Sequence, residues 1–86
     1  MKSMINEYEF KFTALCPVDR KRDNYAATLT SSKMIPAEKL QDYGASQDER
    51  EIYQEDLAKE LSELFDCSVL LIGWHNGVKI TSRICT

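Results

Sequence analysis

CSVLLIGWHNGVKITSRI, residues 67–84, sets two apolar-rich runs on either side of Asn76-Gly77. Asn-Gly suits a two-residue type I′ turn, in which both central residues take positive φ. The stretch therefore reads as a hairpin with strands 67–75 and 78–84. A two-residue loop also fixes the register. His75 faces Val78, Gly73 faces Ile80, Leu71 faces Ser82 and Val69 faces Ile84, all on one largely apolar face. The opposite face sets Leu70, Ile72 and Trp74 against Arg83, Thr81 and Lys79. The first of these strands is apolar on both sides, so both sides need cover.

Working upstream, residues 46–65 carry a helical signal. Ser46 and Glu49 form a capping box, and Asp48, Glu49 and Glu51 suit the positive end of a helix dipole. Tyr53, Leu57, Leu61 and Leu64 recur at helical spacing, widened by Ile52 and Phe65. Residues 36–43 allow two turns with Leu40 and Tyr43 on one side; Pro36 suits the first position and Gly44 stops the helix. Residues 5–15 alternate, with Tyr8, Phe10, Phe12 and Ala14 on one face and Glu7, Glu9, Lys11 and Thr13 on the other. That is a half-buried strand closed by Pro17. Residues 24–31 alternate likewise through Tyr25, Ala27 and Leu29.

The order is ββ-α(α)-ββ, one α+β domain over residues 1–86. Its expected form is a four-stranded antiparallel sheet with helices packed on one face. A single helical layer leaves Leu70, Ile72 and Trp74 uncovered, which predicts an interface with other copies or a protein partner. A chain of 86 residues has a marginal core, and that too favours a homo-oligomer.

Charge narrows the partners. The net charge of −3 does not suit nucleic acid, which needs clustered Lys and Arg. Arg20, Lys21 and Arg22 form one short basic cluster. The three cysteines, Cys16, Cys67 and Cys85, are expected as reduced thiols in a cytoplasmic protein. Residues 1–10 have no long apolar run, and Val69–Ile72 is too short to span a bilayer, so no membrane partner is expected.

Few residues carry chemistry. Cys16 ends the first strand and Asp23 opens the second, so a hairpin brings them together. A thiol attacks as thiolate, and the basic cluster favours that form, while a protonated Asp23 supplies a proton. Glu55, in Tyr53-Gln54-Glu55-Asp56, can grip adjacent N–H donors of a heterocycle through two oxygens. His75 reads as a turn-flanking residue. No Cys/His/carboxylate spacing matches a zinc site, so no metal is expected, and no phosphate-binding glycine loop occurs.

With these residues in view, the element order resembles a tunnelling-fold (T-fold) subunit. The resemblance implies binding of pterins or purine-like heterocycles, subunits joined through their sheets, and sites between subunits. Phe12-Thr13-Ala14-Leu15-Cys16-Pro17-Val18, with Asp23 beyond it, is similar to the 7-cyano-7-deazaguanine (nitrile) reductase branch. That likeness implies Cys16 as nucleophile forming a thioimide, Asp23 as proton donor and Glu55 as anchor of the base edge. Gln54 stands where that branch has a histidine. Glu38-Lys39-Leu40-Gln41-Asp42-Tyr43 echoes its cofactor stretch only in part, so the cofactor is left open.

Two functions follow. One is a T-fold protein binding or acting on a pterin or deazapurine through the Cys16–Asp23 pair. The other is a non-enzymatic acidic interaction module, an inhibitor or regulator docking through its sheet face, with Trp74, Tyr25 and Tyr43 as anchors.

Overall fold

The computed structural model describes residues 2–86. Strands β1 (Asn6–Leu15) and β2 (Arg22–Ser31) precede helices α1 (Ala37–Gln47) and α2 (Gln54–Phe65), and strands β3 (Ser68–His75) and β4 (Val78–Ile84) close the chain. The four strands form one antiparallel sheet in the order β1-β2-β3-β4. The expected α+β fold is therefore the observed one.

The closing hairpin adopts the register its turn dictates, from His75 opposite Val78 to Val69 opposite Ile84. Asn76 and Gly77 both take positive φ, 51° and 82°, as a type I′ turn requires. In β1 and β2, alternation sends Phe12, Ala14, Tyr25, Ala27 and Leu29 into the core, where they meet Leu57, Ala58 and Leu61 of α2 and Val69 and Leu71 of β3. Leu29, Leu57, Leu61 and Leu71 have no exposed surface; each such leucine stabilises by about 1.5–3 kcal/mol relative to exposure.

The helical middle departs from the reading above. Gly44 does not stop α1; it lies inside a helix that runs on to Gln47. A Cβ there would come within 3.2 Å of the Phe12 Cβ, so this glycine lets α1 lie close on β1. Nor does Ser46 cap a long helix: its hydroxyl donates to the Tyr43 carbonyl within α1 at 2.7 Å. Helix α2 starts only at Gln54. The segment between the helices is held instead by β1. Leu15 N–H donates to Arg50 O at 2.8 Å, and Ile52 N–H donates to Leu15 O at 3.1 Å. Backbone groups committed to a strand cannot also close helical turns. Asp48 and Glu49 pair with Arg22 at 3.1 and 2.5 Å rather than with a helix dipole.

This late start rotates the buried stripe. Tyr53 precedes the helix with extended backbone and, like Leu64, faces out. The inward face of α2 is Gln54, Leu57, Ala58, Leu61 and Ser62. On the helix-free side of the sheet, Leu70 and Ile72 are half-buried and Trp74 is exposed, flanked by Asn24, Ala26 and Thr28 of β2 and by Lys79, Thr81 and Arg83 of β4.

Candidate functional site

One end of the helix-covered face gathers the polar groups, and strand register puts them there. Ala14 faces Asp23 across β1–β2, and Cys16 lies two residues beyond Ala14. Tyr25 faces Gly73 across β2–β3 and Asn24 faces Trp74; one step further along, Asp23 and His75 come together on the helix side. The ligand-type atoms of Cys16, Asp23 and His75 all lie within 4.8 Å of one another. His75 Nδ1 stands 2.7 Å from Asp23 Oδ2.

The start of α2 closes this end from above. Gln54 is buried, and its amide nitrogen donates to Leu71 O at 3.1 Å, Ile80 O at 2.8 Å and the Ser82 hydroxyl at 3.2 Å. Its Oε1 lies 2.8 Å from His75 Nε2. Gly73 makes room for this arrangement: a Cβ there would stand 2.4 Å from Gln54 Oε1 and 2.6 Å from the Tyr25 ring.

The loop holding Cys16 is tied down as well. Cys16 N–H donates to Lys21 O at 2.9 Å, and Arg20, at φ 61°, donates to Cys16 O at 2.8 Å. Asp19 accepts from Lys21 N–H at 3.0 Å and from the Asn76 side chain at 3.4 Å, linking the loop to the closing turn. The Lys21 N–H chiefly holds the Asp19 carboxyl below its usual range, with the Asn76 side chain a lesser hydrogen-bond partner. Two members of the basic cluster are engaged elsewhere: Arg20 pairs with Glu51 and Arg22 with Asp48 and Glu49.

Two buried side-chain atoms here lack a hydrogen-bond partner, Asp23 Oδ2 and the Tyr25 hydroxyl. The 2.7 Å approach of His75 Nδ1 to Oδ2 is close without being an aligned hydrogen bond. Burial raises the Tyr25 phenol well above its ordinary range, reinforced by Asp23, Cys16 and Glu55. Such orphaned groups are uncommon in folded proteins and call for a specific explanation.

Cys16 and Glu55 line one cavity of about 220 Å³, shared with Tyr53, Gln54, His75 and Ile80. A larger hollow of about 460 Å³ lies on the other side, by Lys11, Asn24 and Trp74, and is lined by no cysteine. Of the residues singled out in the sequence, Cys16 and Asp23 thus lie together and Glu55 reaches the same cavity as Cys16. Leu70, Ile72 and Trp74 lie on the opposite face. Sequence reading missed Gln54, Gly73 and the part played by His75. The hairpin register already put His75 on the face of Gly73 and Leu71, which was the available signal.

Fold and cluster together give a four-stranded α+β subunit with Cys16, Asp23 and His75 gathered at one end of its sheet. The chain is similar in structure to the crystal structure of the archaeosine synthase QueF-Like in the apo form, with a TM-score of 0.86 at 17% sequence identity, covering 98% of this chain and 94% of that one. At that identity the likeness establishes the fold. No family model matches the sequence. No curated protein matches it either.

Proposed function

We propose that the Cys16–Glu55 cavity binds a deazapurine- or pterin-like heterocycle and that Cys16 attacks it. The observation carrying this reading is the shared cavity: a thiol and a carboxylate line one pocket, with Asp23 and His75 beside the sulfur. The fold shared with the archaeosine synthase QueF-like protein supports the class of ligand. Glu55, exposed at the start of α2, offers two oxygens to adjacent N–H donors of a guanine-like edge. On a ring bearing a nitrile, the Cys16 sulfur adds to the nitrile carbon. A C–S bond forms, one C–N π bond breaks, and the thiol's proton passes through Asp23 to the nitrile nitrogen. The product is a thioimide that keeps every atom of both reactants.

The cavity is smaller than the roughly 300–1,000 Å³ of ordinary ligand sites, which favours completion by a second copy. Strands β1 and β4 are the outer strands of the sheet. On the helix-free face β1 carries Glu7 and Glu9, while β4 carries Lys79 and Arg83. Lys11 shares that face of β1, so edge-to-edge addition of a copy sets a net acidic edge against a basic one. A native mass that is a multiple of the chain mass is the expected result, and a monomer would remove this part of the reading.

Intact-mass measurement after incubation with 7-cyano-7-deazaguanine tests the chemistry. The expected product is heavier by the whole nitrile in the native chain and unchanged in Cys16→Ala, while Glu55→Gln weakens binding of the ring. No adduct on the native chain would refute covalent chemistry. The competing reading, a protein-binding module, draws on Trp74, 51% exposed beside the half-buried Ile72. In that case Trp74→Ala abolishes partner binding, and no small-molecule adduct forms.

A further inference from the structure

Gln54 decides which nitrogen of His75 carries hydrogen. The Gln54 amide nitrogen already faces the acceptors Leu71 O, Ile80 O and Ser82 Oγ. The atom it turns to His75 Nε2 is therefore its oxygen, at 2.8 Å. An oxygen can only accept, so Nε2 holds the hydrogen, an assignment that follows from the network. A neutral imidazole then presents its lone pair at Nδ1, and that atom lies 2.7 Å from Asp23 Oδ2. Two lone pairs at this separation need positive charge beside them, either a proton or a metal ion.

Three further facts favour the metal ion. Asp23 is 6% exposed, and its Oδ2 has no aligned donor. Leaving a buried carboxylate without partners is costly. The Cys16 sulfur completes a set of three donor atoms within 4.8 Å. Thiolate, imidazole and carboxylate together are the donors of zinc; calcium and magnesium take oxygen alone. Three protein ligands leave one position free, the arrangement of reactive rather than purely structural zinc sites, and Cys16 and His75 both border the cavity.

We propose that Cys16, Asp23 and His75 form a binding site for a thiophilic divalent cation, Zn2+, with Gln54 as the partner that orients His75. Histidine ligands are commonly held this way through the second ring nitrogen. Binding of the ion draws electron density from the Cys16 sulfur, so a zinc-loaded chain adds to an electrophile more slowly. This last consequence rests on the proposed nucleophile; the binding site itself does not.

Titration of reduced, chelator-treated protein with Co2+ tests the site, since thiolate bound to cobalt absorbs in the near ultraviolet. The expected result is a band that saturates at one ion per chain, disappears when Zn2+ is added, and is absent in Cys16→Ser. Affinity should fall at least tenfold in His75→Ala and by about 10–100-fold in Gln54→Leu. No band on the native chain would overturn the proposal, and so would an unchanged band in Cys16→Ser, which would put the ion on another thiol. Circular dichroism checks the fold of each variant. Should His75→Ala or Gln54→Leu unfold, native chain against Cys16→Ser decides, because Cys16 lies in a surface loop. Adduct formation with the nitrile, measured with and without Zn2+, separates the two proposals. Zinc should slow it more than tenfold. If the metal-free chain forms no adduct, the nucleophile reading fails and the cobalt result still stands.

Discussion

The two ends of the helix-covered face are built from different materials. Around Leu29 and Val69, β2 and β3 meet Leu61 of α2 and Cys67 in a wholly apolar contact, each residue 4% exposed or less. Around Tyr25 and Gly73 the same two strands meet Gln54, with Asp23 and His75 alongside, and two buried polar atoms lack partners. The first end stabilises the fold and leaves no group free for chemistry. The second buries polar groups that satisfy one another only in part, a local departure from the rules of a stable core that fits the ligand site proposed there.

The largest expected effect breaks the apolar end. Leu61→Ala removes a side chain with no exposed surface and should destabilise by about 2–5 kcal/mol. Urea unfolding measures this. The Co2+ band and the nitrile adduct should persist in the fraction that stays folded, because Leu61 touches neither ligand. Equal loss of stability and of site chemistry would mean that the two ends are not separable.

Gly73→Ala strikes the polar end. The new Cβ would press on Gln54 Oε1 at 2.4 Å and on the Tyr25 ring at 2.6 Å. An overpacked contact of this kind costs about 1–3 kcal/mol, less than Leu61→Ala. Its signature is different: displacing Gln54 should release His75 and weaken the Co2+ band even where the chain stays folded. An intact band in a folded Gly73→Ala chain would show that Gln54 does not orient His75.

The same contrast explains which parts of the molecule were legible. The closing hairpin carries its instructions locally, in Asn76-Gly77 and in alternation, so its register could be read residue by residue. The region of Ser46 to Tyr53 could not. Its capping-box pattern is a real local preference, overridden because Leu15 takes the backbone groups of Arg50 and Ile52. Gly44 reads as a stop signal because the nearness of Phe12 is a tertiary fact. At the site, Cys16 and Asp23 were readable because the short loop between β1 and β2 joins them. His75 was not, since its meeting with Asp23 depends on the β2–β3 register, which two intervening helices separate in sequence.

The smallest effect lies at neither end, in the pairing of α2 with α1 and the segment after it. Arg50 binds Glu60 through both nitrogens, at 2.7 and 2.9 Å, and the Tyr43 hydroxyl donates to Glu60 at 3.0 Å. The Arg50 hydrogen bonds chiefly hold the Glu60 carboxyl below its ordinary value. A carboxyl lowered on folding adds stability above its unfolded pKa, and that stability disappears as pH falls through the folded pKa. The pair is partly solvated, so its worth is at most about 1 kcal/mol. Glu60→Gln should therefore lower the urea midpoint slightly at neutral pH, and the gap to the native chain should close as pH drops below the usual carboxylate range. A gap that stays constant with pH would show that Glu60 contributes through packing of its stem rather than through its charge, and would leave the helix pair held by Tyr43 and its apolar neighbours alone.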